Sequence, residues 1–508
     1  MKKLAKGCLY VIGFPVVGLV TLIVLFYVVE NWKGARAWEE AVAVLESAGE
    51  TVDWNQFTAS IPPVREADNF AALPMLDALV HFELVDDQPS FLRPAERERF
   101  LKMTVLQGMD APSGRRWEWG VPVDLEAWRQ SLVEAEEFAI GREGDPAEAI
   151  LNAISQHCGE ELEELVRAAG SRPEGRFLRY QELEDFMDVL SYQLPESNPM
   201  IQATKLVALR GVAAVAAGNG ELALESIDLG LRFAQLNGES HHLIGALVGN
   251  SQVDVMLGVV WEGLRTQVWT EAQLDELETK LEGMDPLKVL LEGYRGELAG
   301  FTGLFRDYFV SANKRQLAEV LRWVQPLGEN GASGSRAIPW MMTVMPDGWI
   351  DQNAAQSVRY HLQYVIEPLK SGNLEAMLSE ASLAIRERPT TPYNFIYKIA
   401  VPTQQRIGSR FVKTSAQVRM ARIACALELA HLRAGSYPVE LDTSGGAFPM
   451  DPLTGEAFRY QLVETGRYRI WSPGIDGVDG GGEVVLKGDG KRVDPETGDW
   501  VWSYSVDE

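Results

Sequence analysis

Three patterns of apolar and polar positions follow one another along the chain. The first is an apolar run from Cys8 to Val29, with Lys2, Lys3 and Lys6 ahead of it and no charge until Glu30. Roughly 20 consecutive apolar residues are what an α-helix needs to cross the hydrocarbon core of a bilayer. Gly13 and Pro15 near its start are residues that membrane helices tolerate. The second pattern fills Asn31 to Ile399, where apolar residues recur at helical spacing and strand-like alternation is scarce. The third begins near Gln404. One more helix, with Ile407, Phe411, Val418, Ile423, Leu427 and Leu432, runs to Ala434 and stops at Gly435. Two period-two segments follow, Phe458–Leu462 and Arg467–Trp471, with Glu464-Thr465-Gly466 between them as the turn of a hairpin.

The apolar run has two readings, anchor and secretory signal. A signal peptide has a shorter apolar core of about 7–15 residues. The small-x-small triplet Ala35-Arg36-Ala37 lies beyond Lys33, well past the run. The pattern therefore predicts an uncleaved anchor. Residues 1–7 form a cytoplasmic tail held inside by their lysines, residues 8–29 span the inner (cytoplasmic) membrane once, and everything after them is extracytoplasmic. Cys8 has no apolar segment before it, so it reads as a small residue at the membrane face and not as a lipidation site.

Helix starts in the middle region are written in capping chemistry. Asp145-Pro146-Ala147-Glu148 combines an N-cap carboxylate, proline at the first helical position and a glutamate able to close a capping box. Thr270-Glu271-Ala272-Gln273 is a second box, and Asp285-Pro286 opens a third helix. The densest stretch, Pro199 to Leu264, is split by Gly218-Asn219-Gly220 and by Asn237-Gly238. It reads as stacked helical hairpins similar to a degenerate tetratricopeptide-type pair. No period near 34 residues recurs elsewhere, so residues 30–400 are expected to form an irregular all-α ectodomain. Pro112–Arg116 and Gly328–Ser335 read as exposed loops. The apolar stretch Ile338–Met342 after the second reads as core ahead of a lid or a membrane-leaning hairpin.

Composition narrows the chemistry. The 508 residues hold 47 basic and 72 acidic side chains, a formal net charge of −25. That excess repels phosphate backbones and anionic headgroups, so no nucleic-acid partner is expected. Three cysteines exclude a disulfide scaffold. Cys158 and Cys425 either pair in an oxidising compartment or stay as buried thiols. No His-Glu-x-x-His, Gly-x-Ser-x-Gly, phosphate-loop or dinucleotide motif occurs. His81, His157, His241-His242 and His361 read as surface or core histidines. The acidic runs Glu160-Glu161-x-Glu163-Glu164 and Glu182-x-Glu184-Asp185 read as solvated helix faces. Among the tryptophans, Trp32, Trp38, Trp54, Trp117 and Trp119 read as anchors of cores or interfaces ahead of a sugar-binding wall.

The ending carries an ordered set of motifs. Ala421–Glu428 lies on the long helix, followed by Gly435-Ser436-Tyr437-Pro438, Asp451-Pro452, Phe458-Arg459-Tyr460 and Trp471-Ser472-Pro473-Gly474-Ile475-Asp476-Gly477. Over residues 404–508 this resembles the soluble domain of type II secretion major pseudopilins. That resemblance implies an α+β module of one long helix on a small antiparallel sheet. It also implies a calcium loop, in which Asp476 matches the motif aspartate and the Pro473 carbonyl a ligand position, with Asp479, Glu483 or Asp489 standing in for the family's trailing acidic pair. A solvated Asp-Gly turn that needs no ion is the other reading of the same residues. Two Asp-Pro-x-Thr-Gly copies, Asp451–Gly455 and Asp494–Gly498, read as turns.

The sequence departs from the pseudopilin pattern in two ways. The whole helical middle separates the membrane helix from the module. Counted from Gly13, the position where the family carries its processing glutamate holds Gly18. The chain is therefore expected to be an anchored protein with a borrowed fold and not a filament subunit, and as a whole it resembles uncharacterised envelope proteins of planctomycete- and verrucomicrobia-type bacteria. The expected fold is mainly α: an N-terminal transmembrane helix, an all-α ectodomain of stacked hairpins and a C-terminal α+β pseudopilin-like module. The first functional expectation is a non-enzymatic interaction protein, with a protein partner, that serves a secretion-like or surface assembly. The second is an extracytoplasmic hydrolase with a carboxylate pair in the helical body.

Overall fold

A computed structural model describes residues 2–508 except 86–87, 110–119, 136–138, 178–193, 312–343, 381–387, 401, 442–447, 464–466, 488–492, 495 and 505–508. The loops expected at 112–116 and 328–335, the stretch 338–342, Trp117, Trp119, the acidic run 182–185, the hairpin turn 464–466 and Asp489 lie outside the described residues. The protein is mostly helical, with a small antiparallel sheet near its C-terminal end.

The first helix, Lys2–Ser47, is continuous for 46 residues, about 69 Å at 1.5 Å per residue. It has two characters. From Val16 to Val29 its large apolar side chains stand exposed, Leu22 by 66 % and Val17 by 64 %, and the helix from Pro15 to Ser47 is long and apolar enough to cross a membrane. From Glu30 onward it packs along the helix Asp347–His361. The two backbones cross at Gly34 and Gly348, where a Cβ built on Gly34 would lie 2.2 Å from the Gly348 Cα. Ala41 and Leu45 then bury against Ala355, Val358, Leu362 and Ile366. A second helix of similar apolarity, Leu243–Thr266, has 67 % of its most apolar stretch buried and is a core element.

Local signals set the helix starts. Asp145 accepts from the Glu148 N–H, Thr270 and Gln273 close a reciprocal capping box, and Asp285 accepts from the Lys288 N–H. The hairpin stack is built from Ser197–Ala216, Gly220–Gly238 and Leu243–Thr266, with Asn219 capping the second helix. The sequence puts the second break at Asn237-Gly238. The helix instead continues through Gly238, and the chain turns at Glu239–His242, with His241 in the left-handed region at φ 54°. Gly249 lets the second and third helices touch backbone to backbone, because a Cβ there would lie 2.6 Å from the Ala234 oxygen.

The long C-terminal helix, Pro402–Ala434, ends at Gly435, whose φ of 74° reverses the chain. Its middle is buried on nearly every side, Phe411, Ala416, Met420, Ala424 and Leu427 among the rest, as expected of a helix inside a core. One face meets Leu243–Thr266, Glu271–Glu282 and Pro286–Glu297. Arg422 ties it to Glu278 at 2.8 Å and to Glu282 at 2.7 Å. The other face carries an antiparallel sheet in the order β3-β4-β5, where β3 is Arg459–Leu462, β4 Tyr468–Ser472 and β5 Trp500–Ser503. Tyr460 pairs with Ile470, and Ile470 with Trp502. The β3–β4 hairpin matches the sequence reading. The third strand does not appear in that reading, and neither does the separate hairpin of β1 (Phe82–Val85) and β2 (Gln88–Phe91). A single hydrophobic core takes residues from Phe70 to Tyr504, so the helical body and the C-terminal module share their interior.

Candidate functional site

Where the hairpin stack meets the end of the first helix, the body forms a cleft of about 990 Å³, open to solvent on one side. This is at the upper end of the size range of small-molecule sites. Its rim comes from three breaks in helical structure: Glu46–Thr51 after the first helix, the Gly238–His241 turn and the Gly283–Pro286 turn. Its floor is apolar, from Phe57, Val253, Val289 and Phe411. Each rim segment lies at a helix end because a chain reversal exposes backbone and favours polar side chains.

A string of charges crosses the wall. Lys370 Nζ lies 3.1 Å from Glu50 Oε1, Arg295 grips both Glu50 oxygens at 2.7 and 2.8 Å, and Arg295 also holds Glu292 at 2.7 Å. Glu292 in turn lies 3.7 Å from His241 Nδ1. Burial pushes the Glu50 carboxyl up, but the hydrogen bonds from Arg295 and Lys370 outweigh it and hold Glu50 below the usual carboxylate range. Glu292 is also held low, where His241 and Arg295 outweigh burial. Glu239 behaves oppositely. It stands exposed on the cavity rim, where desolvation by the surrounding wall raises its pKa against the opposing pull of Arg232 and Arg176. One cavity lining thus holds carboxyls whose surroundings shift them in opposite directions.

His241 is fixed by geometry as well as charge. Its left-handed backbone puts its carbonyl oxygen where a Cβ on residue 296 would stand, 1.7 Å away, so Gly296 is required there. His242 opens the next helix, as the sequence suggests, with Nδ1 accepting from the Gly245 N–H at 2.9 Å. Burial, with the charge of His241, lowers the His242 pKa to about 4. Nearby, Asn250 donates to Thr414 at 2.9 Å and Thr414 to Asp254 at 2.7 Å; burial raises Asp254 to about 6.

The C-terminal loop is organised around three aspartates. Asp476 accepts from the Val478 and Gly498 amides at 3.0 and 2.9 Å. Asp479 accepts from Trp471 Nε1 at 2.9 Å, the Gly481 amide at 3.0 Å and Arg459 Nε at 3.2 Å. The Trp471 and Gly481 hydrogen bonds, with Arg459, hold Asp479 below its usual range. Asp499, fully buried, gathers the Gly480, Gly482 and Glu483 amides at 3.2, 2.6 and 3.2 Å. Pro473 is buried at the base of the loop, while Asp476 and Asp479 stand exposed. All four oxygens of Asp476 and Asp479 face N–H donors, one of them a guanidinium. The loop is thus held together by its own amide, indole and guanidinium donors. Among the described residues no group of three His, Cys, Asp or Glu side chains could hold a metal ion.

The other candidate residues are dispersed. His157 bonds the Lys102 carbonyl, and His361 is buried against Ser357. Glu161 is not on a solvated face: it is buried, 2.8 Å from Lys102, because the helix turns that one position inward. Trp54 is core, Trp38 lies under Arg306, Trp32 is exposed, and none of the three lines the cavity. Cys158 and Cys425 are free and buried. Desolvation raises the Cys158 thiol to about 12 and the Cys425 thiol also upward, so both are inert. Glu50, Glu239, Glu292 and Arg295 are absent from the sequence-derived candidates. The available signals were the polar turn Asn237–His242 between two apolar helices and the Glu292-x-x-Arg295 spacing. No family model, no curated protein and no solved structure matches this chain.

Proposed function

We propose that the protein is a single-pass, membrane-anchored extracytoplasmic binding protein, with residues 1–7 cytoplasmic. Its helical body takes a small polar ligand in the cavity, and its C-terminal pseudopilin-like module docks to a secretion-like or surface assembly. One observation carries the reading: the apolar sleeve of the first helix continues without a break into Glu30–Ser47, which packs on the body and ends at the cavity rim. This continuity favours an anchor over a cleaved signal. Ala35-Arg36-Ala37 is helical, and Ala37 accepts a hydrogen bond from Arg359 at 3.2 Å. A peptidase would have to unwind a packed helix to reach it. The pseudopilin resemblance is supported by the long helix against the antiparallel sheet and by the turns at Gly435 and Asp451. That helix is sandwiched between body and sheet, so the module offers its loops, not its helix, to a partner.

The test is fractionation of the full chain with a C-terminal epitope. The expected result is a full-length, carbonate-resistant membrane protein whose epitope is digested by protease added from the extracytoplasmic side. A chain shortened at its N-terminus and released in soluble form would overturn the anchor.

A second reading, a hydrolase using the cavity, is favoured by the placement of Glu50, Glu239 and Glu292 on one cavity lining. Assay against a panel of glycans would show turnover abolished in Glu239→Gln; absence of turnover by the wild type across the panel would leave the binding reading alone.

A further inference from the structure

The base of the body is aromatic where the first helix enters it. Phe26 meets the Trp349 ring edge-to-face at 6.2 Å, and Trp349 meets Tyr393 the same way at 6.2 Å. The Tyr27 hydroxyl donates to the Val344 carbonyl. Trp349 Nε1 donates to Glu30 at 2.9 Å, and the Gly348 amide donates to Asn31 at 3.0 Å. These contacts fix the height of the segment 344–349 along the helix. It spans the levels of Phe26 to Asn31, and at 1.5 Å per residue Phe26 lies about 4.5 Å on the membrane side of Val29, the last residue of the apolar sleeve. A body hanging from a stalk would leave this level bare. Here Val344 presents an apolar side chain that is 42 % exposed at the height of Tyr27, and Trp32, 62 % exposed, stands about 7.5 Å above it. Lys33 and Arg36 add cations just beyond. Of the two acids at this height, Glu30 is shielded from lipid, being buried, salt-bridged to Lys33 at 3.0 Å and bonded to Trp349, and Asp347 is half-buried in the first turn of the helix it opens, where the headgroup layer solvates it.

Aromatic amphiphiles flanked by basic residues at the end of a membrane helix are the composition of a bilayer interface. We propose that the exposed Val344 and Trp32, backed by the Phe26, Trp349 and Tyr393 rings, form an interfacial seat that inserts into the headgroup layer of the extracytoplasmic leaflet. The partner is the bilayer surface itself, and the body rests on it at a fixed tilt. This rests on the anchored reading above, from which it is experimentally separable.

The experiment places nitroxide labels on the full chain, with Cys8→Ser to remove the third thiol and Cys158 and Cys425 left buried. The chain is reconstituted in vesicles of phosphatidylethanolamine and phosphatidylglycerol. Four sites are compared by collision with oxygen, which partitions into lipid, and with a water-soluble nickel chelate. They are Leu22→Cys in the sleeve, Val344→Cys and Trp32→Cys in the seat, and Val439→Cys, 78 % exposed in the C-terminal module. The expected order of oxygen preference is Leu22, then Val344 and Trp32, then Val439, with the seat labels about 5–10 Å inside the interface. Leu22 in lipid with Val344 and Trp32 as aqueous as Val439 overturns the seat and leaves the anchor standing. Leu22 itself aqueous overturns both. Since Val344 and Trp32 are both exposed, neither label needs the core to rearrange, and each checks the other.

Discussion

Removing the carboxylate of Glu428 is expected to loosen the joint between the helical body and the C-terminal sheet. Glu428, 3 % exposed, accepts from the Tyr437 hydroxyl at 3.0 and 2.9 Å, from Tyr468 at 3.2 Å and from Gln267 at 3.1 Å. Gln267 follows directly on the helix Leu243–Thr266, and the tyrosines belong to the module. In Glu428→Ala, Tyr468 retains Tyr504 at 2.9 Å and the Ala424 carbonyl at 3.3 Å, and Gln267 retains the Tyr437 oxygen at 3.1 Å. Arg467, which lies 3.6 Å from Glu428 and is partly exposed, rehydrates. The Tyr437 proton alone loses every acceptor, at a cost of about 1–3 kcal/mol for a buried unpaired donor. The void left by the deleted side chain adds roughly 1–2 kcal/mol. The expected total is about 2–5 kcal/mol, and about 1–2 kcal/mol for Glu428→Gln, which keeps one carbonyl oxygen. Urea unfolding of the detergent-solubilised chain, followed by tryptophan fluorescence, reads this joint directly. Trp261 bonds the Ser503 carbonyl at 2.9 Å and Trp502 bonds Tyr504 at 3.1 Å. A double-mutant cycle of Glu428→Ala with Tyr437→Phe should give a coupling of about 1.5–3 kcal/mol, the range for a hydrogen bond to a charged acceptor. Additivity within about 0.5 kcal/mol would refute the shared hydrogen bond and with it the argument that the carboxylate joins body and module.

Three further perturbations test separate parts of the structure. Gly34→Ala should lower the thermal midpoint, by about 1–3 kcal/mol of overpacking, because its Cβ meets the Gly348 backbone. Gly18→Ala, with nothing within 4 Å, should not, and equal midpoints would mean the helices do not touch there. Asp499→Ala strips three loop amides of their acceptor and should cost about 2–4 kcal/mol by calorimetry, in EDTA and in calcium alike; a calcium-dependent rise in wild type that disappears in Asp476→Ala would instead establish the metal loop. Burial pushes Glu297 to about 7 from an ordinary 4.5. The folded state therefore binds its proton more tightly than the unfolded chain, and stability falls as pH rises from about 5 to 8, by roughly 3 kcal/mol in all. Glu297→Gln should flatten that slope and stabilise the protein at pH 8, and an unchanged profile would remove Glu297 as its source.

What the sequence alone determined is what a few neighbouring residues can encode. The apolar sleeve needs only its own composition. The caps at Asp145, Thr270 and Asp285 need a side chain and an amide three residues on. The β3–β4 hairpin was legible from alternation across a short turn. Strand β5 was not, because Trp500–Ser503 is brief and reaches β4 only after the glycine-rich loop has folded back around Asp499. The loop aspartates were visible, but the donors that occupy their oxygens were not. Arg459 lies 20 residues before Asp479, and Gly498 lies 22 after Asp476. The cavity belongs wholly to tertiary structure. Glu50 and Arg295 are 245 residues apart, and only the packing of Glu30–Ser47 on Asp347–His361 brings the end of the first helix to the turn that carries Glu239 and His241. A carboxylate in sequence carries no sign of its future surroundings. Desolvation raises Glu239, and two cations hold Glu50 down. Those opposite outcomes arise from desolvation and distance, which are properties of the fold and not of the residue.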